Sequence, residues 1–284
     1  AEEKKKELQE FIARFSANVA KSKQATYRKK MIDKLNIEDI KPSSRRYPAL
    51  IFEQEREAGD QILNIENLSY SIGDSVLFSN INLNLAKGDK LIVYSKDSRA
   101  VTAFYEIVNG KFVPEQGKVE WGVTTNNAYL PLDHDSYFEN NFSLVDWLRQ
   151  FAKTEEEREE VFIRGFLGKM LFSGEEALKT CNVLSGGEKV RCMLSKMMME
   201  RANVLLFDEP TNHLDLESIT GLNNALNNYK GTLICSTSDH AFSQSLGTRI
   251  LELTPKGAID RLTSFDDYMS DTSIKDLRNK MYAS

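Results

Sequence analysis

The chain has 284 residues, 41% hydrophobic and 28% charged, with a formal net charge of −5, a globular composition with room for one large domain and an extension. No run of about 18 apolar residues occurs, which excludes a membrane-spanning helix, and no apolar cleavable segment opens the chain. Three cysteines (Cys181, Cys192 and Cys235), odd in number and without C-x-x-C spacing, give no disulfide or metal framework and point to a reducing compartment.

Charge is concentrated at the N-terminus. Residues 1–46 carry 13 Lys/Arg against 7 Asp/Glu, which leaves the remainder at −11. Leu8, Phe11, Ile12, Phe15 and Val19 recur at helical spacing over 3–20, and Tyr27, Met31 and Leu35 lie four apart over about 24–35. The pattern predicts an antiparallel helical hairpin, apolar within and basic outside. A basic arm on an acidic domain suits nucleic acid or another polyanion. Charge alone slightly favours a solvated helical face. Pro42, Ser43, Ser44 and Pro48 mark a linker.

From about Gln61 the texture becomes β-like. Ile62–Leu68, Leu77–Leu85 and Lys90–Tyr94 read as strands separated by turns at Gly73-Asp74 and Gly88-Asp89. A helix is expected from about Thr102 to Val108, and residues 143–179 look helical. Strands at Val204–Asp208, Thr232–Ser236 and Arg249–Leu253 then alternate with helices at Glu188–Glu200 and Leu216–Asn228. That alternation predicts an α/β layered fold with a mostly parallel sheet. Val204–Phe207, apolar throughout, suits a strand buried on both faces.

Two stretches carry chemistry. In Leu184-Ser185-Gly186-Gly187-Glu188, two glycines after a serine let backbone N–H groups approach a phosphate, at a helix start whose dipole favours anions. Alone, such a run is a common helix entry. About 20 residues on, a buried strand ends at Asp208-Glu209, and the pairing makes coincidence improbable. Asp208 is placed to hold Mg²⁺, and Glu209 to orient or deprotonate an attacking water.

Together with Pro210-Thr211-Asn212-His213-Leu214-Asp215, these residues resemble the signature motif, Walker B strand and D-loop of an ABC ATPase. The Asn-His-Leu-Asp form resembles the ABC-F family, soluble tandem-cassette ATPases without a transmembrane domain. Leu8–Phe15 with Lys21, Lys23, Gln24 and Ala25 resembles that family's inter-cassette linker, a hairpin reaching tRNA and the ribosome. The resemblance implies a P-loop NTPase ABC-type fold, with a mostly parallel core sheet, an antiparallel β subdomain and a helical subdomain. It divides the chain into a basic linker (1–46), a connecting segment (47–60), a nucleotide-binding cassette (61–265) and a C-terminal tail (266–284). It implies ATP and Mg²⁺ as cofactors and a cytoplasmic location without membrane association. The implied partners are a first cassette ahead of Ala1 (or a second copy of the chain) and the ribosome or tRNA through Lys21, Lys23, Arg28, Lys29 and Lys30.

The departures bear on mechanism. Aligned on the family's phosphate loop, the glycine positions fall on Ser95, Ser98 and Ala100 and the lysine on Val101. Thr102 keeps the Mg²⁺-binding hydroxyl. Losing the lysine removes a charge-assisted contact, worth about 1.5–3 kcal/mol. The Q-loop glutamine falls on Leu132 and the switch histidine on Ser238, with His240 expected to point elsewhere. Tyr70 reads equally as an adenine-stacking residue and as a strand aromatic in the core. ABC sites are composite, and Ser185, Gly186, Gly187, Glu188, Asn212, His213 and Asp215, the elements offered to a partner, are intact. The expectation is a second cassette that completes a first cassette's site while working poorly alone. The alternatives are a regulatory or scaffold cassette and the ATPase subunit of a transporter.

Overall fold

The computed structural model describes residues 46–284, with residues 2, 3, 5, 6, 9 and 30 ahead of them. The hairpin expected over 1–46, and Lys21, Lys23, Arg28 and Lys29 on it, lie outside the described residues; Lys30 is exposed.

Nine strands form two sheets among the described residues. The smaller is antiparallel, in the order β2 (Ser75–Ala86), β1 (Gln61–Ile72), β4 (Gln116–Trp121). Its hairpin closes through Gly73-Asp74, where Gly73 takes φ 57°, a conformation that costs glycine little. The larger runs β5 (Asn127–Leu130), β6 (Val204–Asp208), β7 (Thr232–Ser236), β3 (Lys90–Tyr94), β8 (Arg249–Thr254), β9 (Gly257–Arg261). It is parallel except for β9, which pairs antiparallel with β8.

Alternating residues of the larger sheet feed two cores. Val204 and Leu206 join Leu91, Val93 and Ile234 in the core shared with the antiparallel sheet and α1 (Ser98–Val108). Leu205 and Phe207 join Ile92, Leu233 and Cys235 in the other, with helices α5 (Gly186–Glu200) and α6 (Leu216–Asn228). A strand's period of two, buried on both faces, produces this division. The signature-helix methionines Met193, Met197, Met198 and Met199 are all buried in the second core.

Residues 143–179 are not one helical run. They break into α2 (Leu144–Arg149), α3 (Glu155–Arg158), α4 (Glu160–Lys169) and a 3-10 turn at Gly174–Leu178. Thr154 starts a new helix with a capping box to Glu157, and positive φ at Leu171 and Gly174 turns the chain. Leu144, Trp147, Leu148 and Leu167 are buried as their spacing predicts, but Val161 is 83% exposed.

Both ends of the expected cassette are integral to it. In the connecting segment, Leu50 and Phe52 are buried, and Phe52 sits edge-on to Phe207 and Tyr229. In the segment set apart as a tail, helices α8 (Phe265–Ser270) and α9 (Thr272–Tyr282) follow a short α7 (His240–Leu246) and dock against β8, where Tyr268, Arg278 and Tyr282 all reach Glu252. No helix among the described residues is long and apolar enough to cross a membrane.

Candidate functional site

Strand β3 delivers the chain to Ser95, and α1 begins three residues later at Ser98. Asp97 is the helix N-cap: its Oδ1 accepts from the Arg99 N–H at 3.0 Å. The Arg99 guanidinium then folds back on the same carboxylate at 2.8–3.3 Å. Arg99's side-chain hydrogen bond holds the Asp97 carboxyl below the usual range, so it remains an anion at the mouth of the helix. The Asp97 N–H donates to Ser95 Oγ at 3.2 Å, the Ala100 N–H to the Asp97 carbonyl at 3.0 Å, and the Lys96 N–H to the Tyr282 hydroxyl at 3.1 Å. No residue from Ser95 to Ala100 has a positive φ, so this backbone needs no glycine. Val101, at the lysine position, is 8% exposed and packs into the core under the antiparallel sheet.

One turn into α1, Thr102 meets Asp208, and these are the two side chains expected at a cation site. The Thr102 hydroxyl donates to Asp208 Oδ2 at 2.8 Å, across 106 residues. Burial at the end of β6 raises the Asp208 carboxyl to about 6; the Thr102 hydrogen bond opposes this and Glu209 and Glu106 add to it. A hydroxyl and a carboxylate in contact are hard oxygen donors that fit Mg²⁺. Among the described residues no cluster of three or more His, Cys, Asp or Glu could hold a metal by itself, so phosphate or water oxygens would supply the remaining ligands.

Glu209 follows with φ 54°, a left-handed conformation that costs a side-chain-bearing residue of order 1 kcal/mol. Its N–H donates to the Ser236 carbonyl at 2.7 Å, and its Oε2 accepts from the Ser238 N–H at 2.9 Å and the Ser238 hydroxyl at 3.2 Å. Ser238, expected at the switch position, therefore tethers Glu209. The neighbouring loop is tied in by the Thr211–Thr237 hydroxyl pair at 2.7 Å. His240 turns away to pair with Asp266 and sit edge-on to Phe265.

Beside α1 lies a cleft of about 280 Å³ lined by Tyr70, Ile72, Ser98, Arg99, Thr102, Ala103, Phe112 and Leu132. Tyr70 stacks on Phe112 with ring centroids 5.9 Å apart and planes 18° apart. Phe112 was not singled out from the sequence, where only the turn at Gly110 before it marks the position. Leu132, at the Q-loop position, is 42% exposed on the rim and brings no polar atom to the cleft.

A second cleft, of about 370 Å³, is lined by Ser185, Gly187, Glu188, Arg191, His213, Leu214, Asp215 and Ser218. It shares no lining residue with the first. Ser185 caps α5 by accepting from the Glu188 N–H at 3.2 Å, while Glu188 Oε1 accepts from the Ser185 N–H at 3.1 Å and Lys179 holds its Oε2 at 2.9 Å. His213 packs on the signature glycines: a Cβ on Gly186 would meet its ring at 3.0 Å, and one on Gly187 its carbonyl oxygen at 2.6 Å. The glycines thus accommodate the D-loop of their own chain as well as leaving the helix entrance open. Asp215 caps α6 through the Ser218 N–H at 2.8 Å, and Asn212 is exposed.

Two family models, both described as ABC transporter, match residues 78–212 and 1–52. The chain is 49% identical to the uncharacterized ABC transporter ATP-binding protein YkpA of Bacillus subtilis, over 99% of this chain and 52% of that protein. It is 41% identical to the "Probable ATP-binding protein YbiT" of Escherichia coli O157:H7, over 95% of this chain and 50% of that protein, and 28% identical to ABC transporter F family member 5 of Arabidopsis thaliana, over 95% and 40%. The chain spans about half the length of these two bacterial relatives. A chain from a metal-chelate type ABC transporter in an inward-facing conformation has the same fold, with a TM-score of 0.58 at 20% identity over 72% of this chain and 84% of that one.

Proposed function

Because this chain carries an ATP-binding cassette of the ABC type, we propose that it is the second cassette of a cytoplasmic, ribosome-associated ABC-F ATPase. In this reading it completes the ATP site of a first cassette while its own site is degenerate. One contrast carries the proposal. The entrance to α1 has its Lys96, Asp97, Arg99 and Ala100 donors taken within the chain and an aspartate carboxylate as helix cap, whereas α5 is capped by the neutral Ser185 hydroxyl and opens with two glycines onto the Ser185–Asp215 cleft.

Each element then has a role. Ser185 accepts from Glu188 and keeps its own hydroxyl proton for an outside acceptor. The N-terminus of the 15-residue helix α5 adds its positive end, which favours a partner's terminal phosphate. Gly186, Gly187 and Glu188 shape that entrance, His213 and Asp215 line the same cleft, and exposed Asn212 precedes them in the D-loop. In the chain's own site, Thr102 and Asp208 would hold Mg²⁺, which when bound screens phosphate charge. Glu209 is the residue that would act on water, with Ser238 holding its carboxylate. Tyr70 would stack on adenine, but Ser95, Ser98, Ala100 and Val101 give the triphosphate neither a glycine cradle nor a lysine, and Leu132 gives the cation no ligand. The F-family name of the plant relatives and the basic 1–46 segment support the ribosome and tRNA as partners, with Lys21, Lys23, Arg28, Lys29 and Lys30 as contacts.

The test is steady-state ATP hydrolysis by this chain alone, with Glu209→Gln as control. Turnover at the level of the control is expected. Robust turnover that disappears in Glu209→Gln would overturn the proposal.

A further inference from the structure

The phosphate loop is closed by the far end of the chain, and the closure has a polar anchor. Glu252 lies on β8, in register with Tyr94 at the end of the phosphate-loop strand. Its side chain is 0% exposed, and a buried carboxylate is tolerated only when hydrogen-bonded or paired. Its partners come from the two C-terminal helices. The Tyr268 hydroxyl donates to Oε1 at 2.6 Å, Arg278 Nε to Oε1 at 2.7 Å, and the Tyr282 hydroxyl to Oε2 at 2.6 Å.

Having donated its proton to Glu252, the Tyr282 oxygen accepts from the Lys96 N–H at 3.1 Å. Burial and Glu252 raise the Tyr282 phenol above its ordinary value, so it stays protonated for this double role. Lys96 Nζ lies 4.5 Å from the centroid of the same ring, so the ammonium rests on the tyrosine face. On α9, Ile274 is buried and Leu277 and Met281 pack half-buried against the same core. This apolar contact docks the helix, and the polar anchors at its C-terminal end fix Tyr282 against the phosphate loop.

We propose that α9 is an autoinhibitory latch on this cassette's phosphate loop, in which Tyr282, held by buried Glu252, occupies the Lys96 N–H and side chain that an incoming phosphate chain would need. The inference rests on the reading above that this site is degenerate, and it adds that part of the degeneracy is reversible. Val101 is permanent; the Tyr282 contact can be released.

The test uses the full chain, titrated calorimetrically with inorganic triphosphate and with ATP, each with Mg²⁺, in wild type, Tyr282→Phe and Tyr282→Ala. Amide hydrogen exchange at Lys96 is followed in parallel. Tyr282→Ala should bind triphosphate about tenfold more tightly than wild type, equivalent to about 1.4 kcal/mol. Tyr282→Phe, which keeps the ring, should show a smaller gain, and the Lys96 amide should exchange faster in both. If Tyr282→Ala does not melt cooperatively, Tyr282→Phe carries the test by itself. Unchanged triphosphate affinity in a folded variant, or unchanged Lys96 exchange in Tyr282→Phe, would overturn the latch and leave the degenerate-site reading standing. Tight binding of Mg²⁺ and ATP by the wild type would overturn that reading, and the latch with it.

Discussion

At Asp208 the burial demanded by a central parallel strand opposes the charge needed for cation binding. Burial raises the carboxyl from 3.8 to about 6, so the folded state binds the proton more tightly than the unfolded chain does. The stability this group contributes is therefore complete below about pH 4 and is lost as pH rises through about 6. Two pKa units correspond to about 3 kcal/mol. In the absence of a divalent ion, Asp208→Asn is expected to stabilise the protein by up to that amount at pH 7.5 and by little at pH 4. Urea denaturation of both proteins at the two pH values measures it, and an equal effect at both would show that Asp208 is not held as a strained anion. Glu209 is strained in a different way, through its backbone, and Ser238 and Ser236 hold it there.

Helix α5 is the element on which the shared-site proposal depends. Its N-terminus is built twice over, by the Ser185–Glu188 capping box and by His213 packed on the glycines. Ser185→Ala should cost about 0.5–2 kcal/mol of stability through the lost cap. Gly187→Ala should cost about 1–3 kcal/mol, because the new methyl group must displace the His213 carbonyl. Both changes, placed in a two-cassette protein, should also lower ATP hydrolysis at the first cassette's site. Denaturation curves with hydrolysis rates separate the effects: full stability loss with unchanged hydrolysis would leave the signature cleft with a structural role only. Helix α1 is the counterexample, since its cap is not a neutral hydroxyl but the negatively charged Asp97, which repels an outside anion.

For the whole molecule, the charge division is the feature that bears on partners. A basic 1–46 segment preceding an acidic cassette should attach to a polyanion by releasing counterions. Removing residues 1–46 from the full-length protein is expected to weaken co-sedimentation with ribosomes and to flatten its salt dependence. Unchanged binding on both counts would remove the arm from the interface. Helices α8 and α9 act at this scale as well, because they return the chain's last residues to β3 and the loop that follows it.

Much of this was legible in one dimension. The strand Val204–Asp208, the helix after Ser185 and the absence of glycine from Ser95 to Thr102 are local facts. Period, capping and motif spacing involve neighbours in the chain, so the α/β class with its mostly parallel sheet and the capped start of α5 could be read without the structure. Residues 143–179 are helical as expected, but a helical period does not show the breaks that Thr154 and Gly174 impose. What filled the loop's donors was decided only by tertiary structure. Thr102 meets Asp208 across 106 residues, and Lys96 meets Tyr282 across 186. Contacts at such separations leave no trace in periodicity; they exist because a parallel sheet places strands that are distant in sequence side by side, with their C-terminal ends at one edge.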